Sequence, residues 1–210
     1  MYTGITQGLF LVTDIKREPN LLTYCVEFNE PLLKDLTLGA SISVNGVCQT
    51  VMNIAGNKVY FNAIAETLNK TTLSGLTVGQ KVSIERSAKA DTEIGGHRMY
   101  GHIYGTAEII ARHSSENNLK LTLQCPPEMM DYIFEKGFIG VDGSSLTVSE
   151  VNLMDRSFAI NLIPHTLELT NFNYKIVGDK VNIELDANTL TIVETIKRLV
   201  SNKQLNLAAN

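Results

Sequence analysis

The stretch Val44-Asn45-Gly46-Val47-Cys48-Gln49-Thr50-Val51 occurs in the chain a second time, as Val141-Asp142-Gly143-Ser144-Ser145-Leu146-Thr147-Val148. Each copy has an Asn-Gly or Asp-Gly dipeptide after an apolar residue, which is a strong signal for a tight hairpin turn. Two positions after the glycine, the first copy has a thiol, Cys48, and the second has a hydroxyl, Ser145. The repeated turn therefore predicts two similar sites that carry different chemical groups.

The repetition extends well beyond this turn. Gly4 and Gly8 recur as Gly101 and Gly105, and the stretch VGQKVSIE at 78–85 recurs as VGDKVNIE at 177–184. Self-similarity over such a length indicates that two halves of the chain share one fold. We therefore divide the chain into residues 1–97, residues 98–187 and a carboxyl-terminal segment at 188–210.

Within each half, apolar residues alternate with more polar ones. This period of two is typical of half-buried strands, and turn residues arrive about every ten positions, as in sandwiches and small barrels. Examples of the alternation are Leu22, Tyr24, Val26 and Phe28, and Leu119, Leu121 and Leu123. Short helical inserts are predicted at 31–36 and 126–136. Each half is therefore predicted to close as an antiparallel β-barrel.

One long helix is predicted at the carboxyl end, from Thr189 to Asn202, with an apolar stripe made by Val193, Ile196, Leu199 and Val200. An apolar stripe of this kind must be buried against something. Docking on the barrels of the same chain and packing against the same helix of other subunits are both compatible with the spacing.

Composition narrows the classes of partner and compartment. The chain has 210 residues, 44% of them hydrophobic, a formal net charge of −4 and no basic run, which argues against a nucleic acid or an anionic membrane as the main partner. The amino-terminal sequence has no secretory pattern and no stretch of eighteen apolar residues occurs, so we expect a cytoplasmic protein. Cys25, Cys48 and Cys125 lack CxxC spacing and are expected to be free thiols.

The densest group of reactive side chains lies at 95–105, GGHRMYGHIYG. His102 could transfer a proton near neutral pH, or could be a structural histidine. A metal site is disfavoured because no carboxylate or cysteine stands at ligand spacing. Cys48 could act as a nucleophile, and Ser145 only with the help of a base, although both could instead be small residues packed under a turn.

The charged residues nearest to these signals are Lys136, Asp142, Asp186 and Glu66, and each taken alone is typical of an exposed or capping position. The sequence contains no P-loop, no dinucleotide fingerprint after a strand and no GxSxG elbow. The residues by themselves thus indicate a duplicated ligand-binding barrel.

Seven motifs in order give the chain a resemblance to a known family: MYTGI at 1–5, NGVCQTV at 45–51, ETL at 66–68, GGHRMYGH at 95–102, KGFIGVDGSSLTV at 136–148, IPHTL at 163–167 and VNIELD at 181–186. The chain resembles riboflavin synthases of the alpha-chain type, which are built from lumazine-binding domains. The resemblance implies an all-β protein with two tandem six-stranded antiparallel Greek-key barrels and a carboxyl-terminal α-helix that joins three chains into a homotrimer.

The resemblance also implies the reaction. Two molecules of 6,7-dimethyl-8-ribityllumazine exchange a four-carbon unit to give riboflavin and 5-amino-6-ribitylaminouracil, the last step of riboflavin biosynthesis, with no external cofactor and no metal. In the family, the two barrels that face each other belong to neighbouring subunits. Whether the protein also associates with lumazine synthase is left open.

The resemblance further implies catalytic and substrate-binding residues. Cys48 would add to or activate the C7 carbon, His102 would transfer the proton of the C7 methyl, and Ser145 with Asp142 and Asp186 would act on the partner ring. The first lumazine would contact Gly4, Ile5, Thr6, Cys48, Gln49, Thr50, Asn62, Ala63, Ile64, Ala65, Glu66, Thr67, Gly101, His102 and Ile103. The second would contact Ser145, Leu146, Thr147, Ile163, Pro164, His165, Thr166, Leu167 and Glu168, with Lys136 reaching in from a neighbouring chain.

A second reading belongs to a different class. Non-catalytic lumazine- or flavin-binding antenna proteins share the fold but have lost motifs of the second barrel and the histidine segment. Here His97, His102, Ser145 and the Ile163-Pro164 pair are all present. Their presence favours the enzyme.

Overall fold

The computed structural model describes residues 1–208, and side chains as far as Asn202. Residues 8–86 form one closed barrel of six strands: β1 Gly8–Glu18, β2 Leu21–Glu27, β3 Ser41–Val44, β4 Val47–Ala55, β5 Lys58–Ile64 and β6 Lys81–Arg86. Residues 105–185 form a second: β7 Gly105–Ser115, β8 Asn118–Gln124, β9 Phe138–Val141, β10 Ser144–Asn152, β11 Ser157–Leu162 and β12 Lys180–Leu185.

The two barrels have the same topology. Around the first barrel the strand order is β1-β2-β5-β4-β3-β6, and around the second the equivalent strands follow the same order. All pairs are antiparallel, and the return of β5 to pair with β2 makes the connection a Greek key. The predicted fold class, two tandem Greek-key barrels from an internal duplication, is confirmed.

Alternation along the strands produces the two cores. In β8, Leu119, Leu121 and Leu123 are buried, whereas the residues between them are partly exposed. Each barrel encloses its own cluster of buried aliphatic and aromatic side chains. Because burial of an aliphatic side chain contributes about 1.5–3 kcal/mol, these clusters supply most of the stability of each barrel.

Bulges occur at equivalent places in both halves. The strand register shifts between Val12 and Asp14 in β1 and between Ile109 and Ala111 in β7. A second shift lies between Val51 and Asn53 in β4, with its counterpart in β10. A bulge bends a strand and increases its twist, so these four irregularities help two short sheets to close into barrels.

Helices are short except at the carboxyl end. The bounds are α1 Glu30–Leu33, α2 Ala65–Lys70, α3 Pro127–Met130, α4 Pro164–Leu169 and α5 Ala187–Ala208, with single 3-10 turns at Thr72–Gly75 and Asn171–Tyr174. The inserts predicted at 31–36 and 126–136 are thus single helical turns. After α1 the chain turns away at Asp35, which has a positive φ, and after α3 it continues as turns up to Lys136, where φ is again positive.

The last helix is longer than the predicted 189–202. It starts two residues earlier because the Asp186 carboxylate accepts the Thr189 backbone N–H at 2.8 Å, which caps the first turn. Leu190 and Val193 pack on the second barrel, but Ile196 and Leu199 are 56% and 58% exposed. Most of the apolar stripe therefore does not dock on the chain's own barrels. Within residues 1–208, no helix combines the length and apolarity needed to cross a membrane.

The repeated turns meet back to back between the barrels. Asn45 and Gly46 have φ values of 46° and 83°, and Asp142 and Gly143 have 43° and 88°. A Cβ atom on Gly46 would lie 2.6 Å from the Gly143 nitrogen, and one on Gly143 would lie 2.8 Å from the Gly46 nitrogen. The two hairpins therefore pack backbone against backbone at their glycines, which are related by a local pseudo-twofold axis.

Buried polar side chains lock this junction. The Asn171 amide donates to Asn45 Oδ1 at 3.1 Å and to Asp142 Oδ2 at 3.0 Å, and the Asn182 amide donates to the Asn45 carbonyl at 2.8 Å. Asp142 is fully buried, and its Oδ1 accepts the Asn182 backbone N–H at 2.7 Å. Burial raises the pKa of Asp142, although Lys175, 3.7 Å away, opposes this effect. Such directional contacts fix the orientation of the two barrels.

The close approach of the hairpins predicts a difference between two glycine substitutions. Gly46→Ala should lower the free energy of unfolding by about 1–3 kcal/mol more than Gly79→Ala does. Gly79 has a similar φ of 87°, but a Cβ there would meet nothing within 4 Å. Urea unfolding of both variants measures the difference, and equal destabilisation would show that the hairpin contact contributes nothing beyond backbone strain.

Candidate active site

The two candidate sites lie where the repeated hairpins begin the strands β4 and β10. Cys48 is half-buried near the start of β4, and Ser145 is half-buried near the start of β10. Thr50 and Thr147, two residues further along, are exposed on the same face of each strand. The shared direction predicted from the period of two is thus present in the structure.

The segment that begins each half lies against the hairpin of the other half. The Gly101 carbonyl accepts the Cys48 backbone N–H at 3.0 Å, and the Gly4 carbonyl accepts the Ser145 backbone N–H at 2.9 Å. Tyr2 and Met99 pair with each other through their backbones at the centre of this arrangement. Each site is therefore built from both halves of the chain.

Both of these glycines are required by close contact. Gly4 and Gly101 have φ values of 74° and 73°, and a Cβ atom on Gly101 would lie 2.6 Å from Cys48 Cβ. A Cβ on Gly4 would overlap Ser145 in the same way. The sequence-based grouping placed Gly4, Ile5 and Thr6 with Cys48. The structure instead places Gly4 beside Ser145, a residue of the second barrel.

Two buried glutamates hold these segments in place. The Glu85 carboxylate accepts the backbone N–H groups of Thr3 at 2.7 Å and Gly4 at 3.1 Å. The Glu184 carboxylate accepts those of Tyr100 at 2.6 Å and Gly101 at 2.9 Å. Burial raises the pKa of Glu184 to about 7 and that of Glu85 in the same direction, against these backbone hydrogen bonds. Sequence reasoning missed both glutamates, although they end the repeated VSIE and VNIE motifs.

The first site is a cleft beside Cys48. It has a volume of about 380 Å³ and is lined by Val47, Cys48, Glu66, Thr67, Lys70, Thr71, Gly101, His102 and Ile103. The Tyr2 hydroxyl donates a hydrogen bond to Cys48 Sγ at 3.1 Å. Burial raises the pKa of Tyr2 well above its ordinary value, so the hydroxyl is a neutral donor at pH 7. The cleft thus presents a thiol, an exposed imidazole and hydroxyl groups to a ligand.

The second site joins Ser145 to a histidine that sequence reasoning did not assign to it. His97 Nδ1 lies 2.6 Å from Ser145 Oγ, and the His97 backbone N–H donates to the same oxygen at 3.1 Å. The buried imidazole stacks on Phe138 with ring centroids 5.0 Å apart. Burial lowers the pKa of His97, and nearby Asp186 partly opposes this shift. A neutral imidazole can accept the serine proton, as in an activated nucleophile.

A signal for this pair is visible in the sequence. His97 follows two glycines, and a Cβ atom on Gly96 would overlap the Ser145 side chain. The glycine is needed because the hydroxyl occupies that space. The double glycine could therefore have pointed to a close contact, but its partner could not be identified without the fold.

The structure places the remaining predicted residues in three kinds of position. In the first half, Ala65, Glu66 and Thr67 lie in α2 with Ile64 just before it, and Glu66 and Thr67 line the first cleft. In the second half, Pro164, His165, Thr166, Leu167 and Glu168 lie in α4 with Ile163 just before it. Ala63 and Gln49 are buried in the barrel, whereas Asn62 lies on β5 and bonds Thr23. Leu146 packs on the second core, and Lys136 is exposed with its backbone N–H bonded to Val148.

The two aspartates predicted to be catalytic have structural contacts. Asp142 is enclosed in the barrel junction, where its carboxylate oxygens accept hydrogen bonds from Asn182 and Asn171. Asp186 caps α5 through Thr189. This differs from the expected action of Asp142 on a bound ring, since the group faces the interior of the junction.

The cysteines divide into two kinds. Cys25 and Cys125 are buried, whereas Cys48 is partly exposed, and all three are free. Burial raises the pKa of Cys125 to about 12, which makes its thiol unreactive. Among residues 1–208, no three His, Cys, Asp or Glu side chains are placed to hold a metal ion together.

Comparisons with known proteins agree with this architecture. The sequence model of the lumazine binding domain matches residues 3–87 and 100–186. The chain is 44% identical over 205 residues to riboflavin synthase of Escherichia coli (strain K12), covering 97% of this chain and 95% of that protein. It is 37% identical over 186 residues to riboflavin synthase of Bacillus subtilis (strain 168), covering 89% and 85%.

Solved structures show the same fold. The structure of LumP complexed with riboflavin has a TM-score of 0.83 and 28% identity, covering 89% of this chain and 100% of that one. LumP complexed with 6,7-dimethyl-8-(1'-D-ribityl) lumazine gives a TM-score of 0.81, also at 28% identity, over 89% and 99%. The two matched segments coincide with the two barrels, and the chain therefore belongs to the lumazine binding domain family.

Proposed function

We propose that the protein is a riboflavin synthase, which converts two molecules of 6,7-dimethyl-8-ribityllumazine into riboflavin and 5-amino-6-ribitylaminouracil. The observation that carries this proposal is the pairing of Ser145 with His97 in one barrel and of Cys48 with Tyr2 in the other. A dismutation needs two bound copies of one substrate treated differently. The repeated backbone provides the two copies of the site, and the different side chains provide the different treatment.

The alternative is a lumazine- or flavin-binding protein without catalytic activity. The likeness to LumP, solved with riboflavin and with a lumazine, supports ligand binding of this type. The buried His97 imidazole places a base on the half-buried Ser145 hydroxyl, an arrangement that activates a nucleophile and that ligand binding alone does not require. Identity of up to 44% with riboflavin synthases over nearly the whole chain also favours the enzyme.

At the first site, we place a lumazine in the cleft between Cys48 and α2. Cys48 is the nucleophile that adds to or activates C7, and the Tyr2 hydroxyl orients the sulfur through its hydrogen bond. His102 lines the same cleft and is exposed, so it can reach a bound ring and exchange a proton with it. Thr67 lines the cleft and supplies a hydroxyl group, and we place the exposed hydroxyl of Thr50, two residues after Cys48, beside the same ring.

At the second site, Ser145 and His97 act as a pair. The serine hydroxyl donates to the neutral imidazole and accepts the His97 backbone N–H, so the oxygen is oriented and its proton has an acceptor. Gly4 forms the wall beside it. We place the segment from Ile163 to Glu168, with Ile5 and Thr6 of the starting segment, around the same bound ring. Asp186 contributes a nearby negative charge that stabilises the imidazolium formed when the proton moves.

The two rings that react are held by barrels of neighbouring subunits in a homotrimer. The support is the apolar stripe of α5, in which Ile196, Leu199 and Val200 are all at least 51% exposed, with Ile192 beside it 60% exposed. Apolar residues at such spacing are typical of helix–helix association. Lys136, exposed at the end of an insert, can extend toward a neighbouring barrel.

Holding both substrates together converts a bimolecular encounter into an oriented reaction, for which effective molarities of about 10⁵ M or more are reached. The reaction is a transfer between identical molecules, so no cofactor or metal enters it. Three free thiols fit a cytoplasmic enzyme. Nucleic acid and membrane have no part in the proposal.

Incubation of the purified protein with 6,7-dimethyl-8-ribityllumazine alone should produce riboflavin. The increase in riboflavin absorbance measures the reaction. Cys48→Ser should lower the rate by about tenfold or more with little change in the melting temperature, because a hydroxyl is a weaker nucleophile than a thiol. Cys25→Ser is the matched control, since this cysteine is buried in the barrel. A protein that binds the lumazine and shifts its emission without forming riboflavin would establish the non-catalytic alternative.

The serine–histidine pair predicts a pH dependence. Burial lowers the pKa of His97 below its ordinary value of about 6.5, so the imidazole is neutral at pH 7 and its protonation should lower kcat only at a pH below 6.5. Glu184, with a pKa of about 7, titrates above this range, so the loss of the acid limb in a His97 variant is what assigns the limb to His97. His97→Gln should lower kcat about 10-fold to 100-fold and remove this acid limb. His113→Gln, at an exposed histidine of β7, should change neither. If kcat of His97→Gln still falls at low pH, the decrease arises from another titrating group.

Assembly is tested by charge on the exposed stripe of α5. Ile196→Glu combined with Val200→Glu should convert trimers to monomers in sedimentation velocity, because a carboxylate at a closed apolar interface is costly. Thr191→Glu is the control, since Thr191 is exposed outside the stripe. Trimers that survive the double substitution would refute the role given to α5.

A further inference from the structure

The buried glutamates of the junction have no part in the chemistry proposed above. Glu85 is in β6, the last strand of the first barrel, and Glu184 is at the equivalent position of β12 in the second. Each side chain is 4% exposed. Each accepts hydrogen bonds from the segment that begins its own half, and that segment forms one wall of the site in the other half.

We propose that Glu85 and Glu184 are positioning residues that act across the barrel boundary: Glu184 of the second barrel sets the geometry at Cys48, and Glu85 of the first barrel sets the geometry at Ser145. This inference rests on the proposed function and adds a division of labour to it. Each barrel would hold in place a wall of the other barrel's substrate site.

The path from Glu184 to Cys48 has two steps. The Glu184 carboxylate accepts the Gly101 N–H at 2.9 Å and the Tyr100 N–H at 2.6 Å. The Gly101 carbonyl then accepts the Cys48 N–H at 3.0 Å, and the Gly101 Cα hydrogens face Cys48 Cβ with no room for a side chain. A displacement of Gly101 is therefore transmitted to Cys48 directly.

The path from Glu85 to Ser145 is its counterpart. Glu85 accepts the N–H groups of Thr3 and Gly4, and also the Thr3 hydroxyl at 2.7 Å. The Gly4 carbonyl accepts the Ser145 N–H at 2.9 Å. Ser145 in turn holds His97 through two contacts. Loss of the hydrogen bonds to Glu85 should thus change the surroundings of the His97 imidazole.

A carboxylate suits this task better than any other side chain. Its two oxygens accept two neighbouring N–H donors at once, and charged acceptors make the stronger hydrogen bonds. A glutamine of the same shape has one acceptor oxygen, and its NH₂ group would point at the second donor. Glu→Gln therefore removes one of the two bonds while keeping the side-chain volume.

Because charged groups surround Glu85 and Glu184, the variants must be compared at a controlled pH. The Met1 ammonium favours the ionised form of both carboxyl groups, whereas Glu85 itself disfavours ionisation of Glu184, and Tyr2 remains neutral beside them. The pKa of Glu184 is about 7. At pH 8.5 the Glu184 carboxyl is largely ionised, so a comparison of wild type and variant at this pH reports on the loss of the hydrogen bonds that the carboxylate accepts.

The first measurement is the alkylation rate of Cys48 by iodoacetamide in the full-length protein, read by peptide mass spectrometry. Glu184→Gln should raise the rate about fivefold, the effect expected from the loss of one hydrogen bond. Glu85→Gln should change it by less than about twofold, because the segment that Glu85 holds reaches Cys48 only through the Tyr2 hydroxyl, and the Tyr2 backbone is also held by Met99. Buried Cys25 and Cys125 report on global opening in the same samples.

The second measurement is the NMR spectrum of the four histidine imidazoles. Glu85→Gln should shift the ring signals of His97, and Glu184→Gln should leave them nearly unchanged. If either glutamine variant fails to fold, the aspartate variant at the same position, which keeps the charge but cannot span both donors, should give the same pattern. Aspartate variants with wild-type rates and spectra would overturn the proposal.

Two results would contradict the crossed arrangement. One is that each substitution perturbs the site of its own barrel, and the other is that both perturb both sites equally, as general loosening of the junction would. Neither measurement depends on turnover. A protein that forms no riboflavin but shows the crossed pattern would refute the proposed function and leave this inference standing.

Discussion

The contact between the two Asn-Gly and Asp-Gly hairpins is the constraint on which the rest of the structure depends. Gly46 and Gly143 approach so closely that neither can carry a side chain, and the amides of Asn171 and Asn182 bridge the surrounding turn residues. Because this contact uses backbone and buried polar groups, it has one geometry. The two barrels are held about a local pseudo-twofold axis, so the backbone contacts between starting segment and hairpin occur twice.

Around that axis, equivalent backbone positions carry different chemistry. Gly101 lies against Cys48, and Gly4 lies against Ser145, with the same hydrogen bond in both places. The thiol accepts a hydrogen bond from Tyr2, whereas the serine hydroxyl is paired with His97. Similar walls can bind two copies of one substrate, while a thiol and a base-assisted hydroxyl can treat them differently. In the proposed reaction, duplication supplies the two binding sites, and the difference between Cys48 and Ser145 sets the direction of transfer.

Much of the fold could be predicted because it depends on local pattern. The period of two along residues such as Leu119, Leu121 and Leu123 and the repeated turns indicated two antiparallel barrels. The sequence could not predict which hairpin is contacted by the segment that begins each half. Gly4 precedes the first barrel in sequence but packs on Ser145, because the starting segments cross at the Tyr2–Met99 bridge.

Burial was also beyond the reach of sequence patterns. Asp142 stands next to the reactive loop in sequence, yet it is fully buried and engaged by Asn182 and Asn171. His97 was recognised as part of a motif but not as the partner of Ser145, since that contact joins residues 48 positions apart. In the sequence, Glu85 and Glu184 are typical of polar residues near the end of a strand. Their role appears only when the opposite barrel is in place.

The most direct test of the account is a crystal structure of the protein with 6,7-dimethyl-8-ribityllumazine. We expect two ring systems per chain, one beside Cys48 with Gly101 as its wall and one beside Ser145 with Gly4 as its wall. The barrels that face each other should come from different subunits. A single ring per chain, or rings bound away from both hairpins, would contradict the claim that the duplicated turns form two substrate sites.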